Sequence, residues 1–559
     1  APALPRIAVA ARGDPPLASS ALRRAELAAG TIASELGASG LLEVVRVREG
    51  DPVPAGDGGT GAGSVSGEES GAGPDVDFAV SVGGVSEGGT VVMSATITDA
   101  RRGTVLDRVA ETTGSGAPEP ELDRFVDRVA GSVAAFADPR MALWIGSSGR
   151  PPTLDAYRAF SDGLDLYYRS ATSVENFRDL KTAAALRFRE ADSPEGSFPA
   201  AGAWAFWAGR WGEGETSGPR FHRLVKRRQG LAHFDRALVD YIDASTFRGD
   251  HEAAYDALRR VVELSGCPEF ESGLAEEAVR LNRPRYALCL LEAIDVEGGW
   301  CFQEGGRDDP DIPGSNARGY WLLLARHIVG DYEGELRDVR RIRERTADVI
   351  LPEARALAAL GRGGEAVGVL TASVPDPTSR VAAVVAAELA RHGDTEAANR
   401  ILRRYMERFR NLDRTEQIGV VARDAYRAAF AFHLAGAAEE LIPLIQEARS
   451  TGRVPNPDWE RAIVGVLHAA AGNRERALEI LRWLDGACVA ECPEATPRLI
   501  RGAARYMQGA IAAHIGQRTD ALLALRDGYP SQVLNIYYDP FLRPLWEDPA
   551  FVELLRPQG

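Results

Sequence analysis

Lysine is almost missing from this chain. Of its 65 basic residues only Lys181 and Lys226 are lysine; with abundant Ala and Gly, this reads as genome composition rather than chemistry. Positive charge is in deficit as well, and a formal net charge of −15 argues against nucleic acid or a bare anionic membrane as a partner. No apolar run reaches the roughly 18 residues that a membrane span requires. Catalytic signatures are missing in turn. There is no Gly-rich loop with a strand lysine, no His-Arg-Asp, no Asp-Phe-Gly, no phosphate loop and no His-Glu-x-x-His. The one look-alike of a nucleophile elbow, Gly63-Ser-Val-Ser-Gly67, carries Val65 where the nucleophile belongs. The sequence therefore predicts a non-enzymatic protein with no catalytic, cofactor-binding or metal-binding residues, and no small-molecule ligand.

Cysteine is sparse, at five residues in 559. Cys488 and Cys492 lie close together ahead of Pro493, and Cys289 and Cys301 bracket an expected helix end, leaving Cys267 over. Two local disulfides would suit an oxidising compartment, while five unrelated thiols would carry no such meaning. Neither pair has a His or a second Cys pair at zinc-finger spacing. The chain opens Ala-Pro-Ala-Leu-Pro without Met. Removal of an upstream segment is expected, hence an extracytoplasmic, secreted or periplasmic setting.

What is present in quantity is a recurring phrase. It reads Gly249-Asp-His-Glu252, Gly330-Asp-Tyr-Glu333, Gly363-Gly-Glu-Ala366, Gly393-Asp-Thr-Glu396, Gly436-Ala-Ala-Glu439, Gly472-Asn-Arg-Glu475 and Gly516-Gln-Arg-Thr519. Amphipathic helical patterns flank each copy. A helix, a tight turn with a left-handed glycine, and an antiparallel second helix satisfy that pattern. Allowing a degenerate copy near Asn282, the starts recur about every 30 to 45 residues, the period of helix-pair repeats.

Residues 1–145 follow a different rule. Strand patterns at Arg6–Ala11 and Leu41–Val47 flank an amphipathic helix at Ser20–Leu36. Alternating stretches from Asp75 to Glu111 form a meander, and a helix at Pro120–Phe136 closes the unit. Between the second and third strands, residues 52–74 form a Gly-rich loop. A linker at 146–152 leads to the helical array at 153–559, which ends in an aromatic and Pro-rich segment. The fold class is mostly α: a tetratricopeptide-like α-solenoid preceded by a small α/β domain.

Arg6–Ala11, Val76–Gly84 and Met93–Leu106 resemble the TolB-type amino-terminal domain found before tetratricopeptide repeats in bacterial proteins. The array is similar to the extracytoplasmic regions of some bacterial transmembrane serine/threonine kinases, here without the kinase domain. Phe234–Tyr241, Glu277–Ala287, Pro352–Gly361 and the ending Tyr538–Phe551 carry that likeness. The resemblance implies an accessory or docking role exercised through protein contact.

His327, His392, His433, His468 and His514 each precede a turn glycine by one to four residues. They are expected to cap first-helix carbonyls, spread along one edge rather than gathered into a site. Asp308-Asp-Pro-Asp311 reads as a solvated acidic loop lacking the spacing of a calcium site. The densest aromatic run includes Phe206 and Trp207, and one helix cannot bury consecutive residues on a single face. At least one of them is therefore expected at an interface. Ala1 to Pro5, Trp546 and Phe551 are the other interface candidates, for a head-to-tail contact between copies of the chain leading to an extended assembly or fibre. The rival expectation is a monomeric binding or sensing module taking a peptide on the concave face.

Overall fold

The computed structural model describes residues 4–11, 19–39, 42–45, 76–87, 90–114, 119–138, 140–141, 152–171, 177–192, 198–209, 218–231, 233–266, 268–293, 317–343, 350–374, 376–453, 457–489, 501–533 and 535–558. The Gly-rich loop, the acidic loop, Ala1, Cys267, Cys301 and Cys492 fall outside them, as do the side chains of Trp207 and Cys488. The chain divides into two compact units, Ala1–Arg236 with Cys301–Gly305, and Ala237–Trp300 with Gly306–Gly559.

In the first unit a five-stranded sheet runs in the order β2-β1-β3-β4-β5. β1 (Arg6–Ala11) pairs in parallel with β2 (Glu43–Val45) and β3 (Phe78–Glu87); β4 (Thr90–Asp99) and β5 (Thr104–Gly114) complete an antiparallel meander. The parallel crossover is α1 (Ser19–Ala38), and α2 (Glu119–Ala137) follows β5. α1 packs on β1 to β3, α2 on β4 and β5, and the two helices touch, so both cover one face. Small side chains allow that approach: Ala21, Ala25, Ala28 and Ala29 of α1 are buried with Ile32 and Leu36.

Four helices share this unit: α3 (Leu154–Ala171), α4 (Phe177–Ala191), α5 (Pro199–Gly209) and α6 (Gly218–Arg227). Their core is aromatic, with the Phe160 ring 5.2 Å from Phe188 and 4.9 Å from Phe198. Phe206 is buried and stacks on Phe221 at 4.8 Å, so it is core rather than interface. α5 is apolar and buries consecutive residues, Trp204, Ala205 and Phe206, so adjacency alone does not send an aromatic to an interface. Pro5 is also held internally, its carbonyl accepting the Glu43 amide at 2.9 Å.

α7 (His233–Ile242) leads into the second unit, where a short π-helical segment and α8 (His251–Ser265) precede seven helix pairs. These are α9 (Pro268–Arg280) with α10 (Pro284–Ala293), α11 (Ala317–Val329) with α12 (Tyr332–Arg343), and α13 (Ile350–Ala359) with α14 (Gly363–Ser373). There follow α15 (Arg380–Arg391) with α16 (Thr395–Arg410), α17 (Arg414–Leu434) with α18 (Ala438–Ser450), α19 (Pro457–Ala470) with α20 (Arg474–Val489), and α21 (Arg501–His514) with α22 (Arg518–Gln532). The repeated phrase has a direct physical meaning. The glycine takes positive φ (79° at Gly330, 86° at Gly393), and the residue after it returns its amide to the preceding helix, as Asp331 does to the Arg326 carbonyl at 2.9 Å. That Asp then caps the next helix: Asp394 accepts the Ala397 amide at 2.9 Å. In the third copy the turn glycine is Gly361, with φ 72°, while Gly363 starts α14. The degenerate copy is Asn282, with φ 58°.

The first helices of the pairs pack side by side from α9 to α21. α15 is so enclosed that every residue from Ala382 to Leu389 is buried. Cys289 is free and exposed on α10, whose buried side presents Ala287 and Leu291. Its expected partner, Cys301, lies outside the described residues.

Candidate functional site

The second unit has two features from which function can be argued, a filled inner face and a buried cluster of ionisable groups. The inner face is occupied by the chain's own ending. After α22 the backbone forms a short 3₁₀ turn, Pro540–Leu545, which packs against α15, α17 and α21 before α23 (Pro549–Leu555). Asp539 anchors it. This fully buried carboxylate accepts the Tyr426 and Tyr506 hydroxyls, and the Phe541 amide at 2.8 Å. Arg391 Nε donates to the Tyr537 carbonyl at 3.2 Å, and its guanidinium lies 5.0 Å from the centre of the Trp546 ring. Phe541 is wholly buried, 5.5 Å from Phe430 and 5.2 Å from His433.

Trp546 packs against this core and Phe551 is fully buried within it. Phe551 is therefore core rather than interface, while Trp546 stays partly exposed. Phe551, like the other inward aromatics of the ending, is spent on covering the array.

The ending also reaches the first pair. Asn282 Nδ2 donates to the carbonyls of Leu554 (3.3 Å) and Arg556 (2.8 Å), and the Asn282 carbonyl accepts the Gln558 amide at 2.8 Å. Tyr529 donates to Asn282 Oδ1 at 3.1 Å, and Arg280 to the Pro530 carbonyl at 3.0 Å. The left-handed turn residue of the first pair is thus also the socket for the end of the chain.

Burial pushes the Asp539 carboxyl up to about 6, from 3.8, against the hydrogen bonds of both tyrosines. Such a group favours the folded state below its unfolded pKa, and that contribution is lost as pH rises through 6. The difference corresponds to about 3 kcal/mol. Denaturant titrations between pH 4 and 7 should therefore show wild type losing about that much stability relative to Asp539→Asn. Burial holds His433 and His514 down at about 4, and they pull the other way over this range, but they do so in both proteins and drop out of the difference. Parallel profiles for the two proteins would rule the assignment out.

The second feature involves two of the turn histidines. His327 and His392 do not spread along an edge: their ring centroids are 6.4 Å apart, and those of His433 and His514 are 5.2 Å apart. In each case one helix pair intervenes, α13 and α14 between the first two histidines and α19 and α20 between the second two. His327 Nδ1 lies 2.8 Å from Glu335 Oε2. Glu335 has no exposed surface and accepts Arg355 Nε and Nη2 at 2.9 and 2.5 Å. On the other side of the ring, His327 Nε2 faces Glu388 Oε1 at 3.5 Å, and His392 Nε2 faces Glu388 Oε2 at 3.6 Å. Tyr332 sits 5.2 Å from the His327 ring and 5.7 Å from that of His392.

Burial raises the Glu388 carboxyl against the pull of His327 and Arg355. Burial would raise Glu335 too, but Arg355 and His327 outweigh it and hold that carboxyl below its ordinary value. Burial brings His392 down to about 4. Sequence reasoning singled out the two histidines as helix caps and missed Glu335, in a polar helix among other charges, and Arg355 and Glu388, inside apolar helical patterns. No family model matches the chain, and no curated protein is similar to it.

Proposed function

We propose that the chain is a non-enzymatic interaction scaffold that associates with copies of itself through the sheet of its first unit. The observation behind this reading is the outer flank of β5. The strand is eleven residues long and pairs only with β4 among the described residues. Val105 on β5 is 43% exposed. A long edge with an exposed apolar side chain on it takes up another extended strand, and the same edge of a second copy is self-complementary about a two-fold axis. A peptide on the inner face of the second unit is the weaker reading, because it would have to displace Asp539 and Phe541 from their buried sites. Light scattering on purified protein tests the proposal. Wild type should form dimers or larger species, and Val105→Lys should shift them to monomer with an unchanged circular dichroism spectrum. A wild type that stays monomeric at high concentration overturns it.

A further inference from the structure

We propose that His327, Glu388 and His392 bind a divalent transition-metal ion, with Zn²⁺ the ion their donors suit best. Two imidazole nitrogens and a carboxylate are a common protein ligand set for zinc, completed by water or another exogenous ligand. The three donor atoms all lie within 4.8 Å of one another. In a tetrahedral zinc site with bonds of 2.0–2.2 Å, ligand atoms sit about 3.3–3.5 Å apart. Each histidine is already near that spacing from its own carboxylate oxygen, His327 Nε2 3.5 Å from Oε1 and His392 Nε2 3.6 Å from Oε2. Closing the triangle asks each donor to move by less than about 1 Å. His392 is free to do so, as a helix C-cap whose side chain is 24% exposed, and that exposure also gives an ion its way in.

The polar contacts around the cluster favour an ion over a simple hydrogen-bond network. Glu388 is 1% exposed, yet its Oε1 has no hydrogen-bond donor. The two nitrogens facing Glu388 stand beyond good hydrogen-bonding distance. The tautomer explains why. Glu335, held by Arg355, accepts a hydrogen bond from the Nδ1–H of His327, and in that tautomer the ring presents its Nε2 lone pair to the Glu388 carboxylate. A lone pair aimed at a carboxylate oxygen repels it unless a cation stands between them. Carboxylate–histidine–metal relays have this arrangement, with Glu335 orienting His327 and raising its basicity.

The test uses the full chain, stripped with chelator and titrated with ZnCl₂ by calorimetry, with Co²⁺ as an optical probe of coordination. Wild type should bind one Zn²⁺ that His392→Gln loses or binds at least about a hundredfold more weakly, while Cys289→Ser retains it. Zn²⁺ should raise the melting midpoint of wild type and leave that of His392→Gln unmoved. Because His392 is partly exposed, that variant is expected to fold, and its circular dichroism spectrum checks this. Should it unfold, Glu388→Gln takes its place with the same expected loss. The proposal is overturned if wild type binds no Zn²⁺, or if a folded His392→Gln or Glu388→Gln binds it as tightly as wild type.

Discussion

Replacing Arg355 by Met should cost the second unit about 3–5 kcal/mol of unfolding free energy, measured by urea denaturation in chelator at neutral pH. Arg355 and Glu335 are both buried, and the carboxylate accepts two of the arginine's N–H groups. Each such charge-assisted bond contributes a few kcal/mol at most. Larger still is what remains afterwards, a carboxylate of zero exposure with only His327 beside it. Its desolvation, several kcal/mol for an unpaired ion, dominates the outcome. The double variant Glu335→Gln/Arg355→Met removes both charges while keeping an acceptor for His327, and it should recover about half the loss or more. A single variant within about 1 kcal/mol of wild type would mean that Glu335 finds water in the native state, and the buried network would be wrong.

Phe541→Ala should be nearly as damaging, at about 3–5 kcal/mol. The ring is fully buried, meeting Tyr426, Phe430 and His433 from the inner faces of the array. Truncation leaves a void that the surrounding helices, fixed by their own pairs, can close only in part. Leu523→Ala, at a position 56% exposed, is the matched control and should change stability by no more than about 0.5 kcal/mol. If Phe541→Ala behaved like the control, the ending could not be part of the core.

The repeats were legible because their punctuation is chemical. A glycine that must take positive φ and an Asp or Asn that caps the next helix leave a short local signature. Asn282 could be placed for the same reason, as the commonest substitute for glycine in the left-handed region. The third copy was read two residues late because Gly361, Gly363 and Gly364 all offer themselves, and only backbone hydrogen bonding separates them. The small α/β unit was legible from alternation in β3, β4 and β5.

The inner face was not legible. Tyr426, Tyr506 and Asp539 belong to three different elements and meet only because the helices curve. The same holds for His327, Glu335, Arg355 and Glu388. The periodicity that marks α15 as buried says nothing of the carboxylate within it. The ending was read as an aromatic and Pro-rich segment with Trp546 and Phe551 at an interface, and its socket on Asn282 lies more than 250 residues away in sequence.

That socket bears on how the second unit acquires its structure. In an open array of repeats each pair contacts only its neighbours, folding can start anywhere, and the loss of a terminal pair is tolerated. Here α9 and its turn are completed by residues from Tyr529 to Gln558, so the first pair and the last become neighbours. The one-dimensional description fails, and the unit must close a loop of the whole array before its last contacts form. Loop closure of that length makes the final step slow and the transition all-or-none. During synthesis the first pair waits, with part of its surface uncovered, until residues 529–558 have emerged.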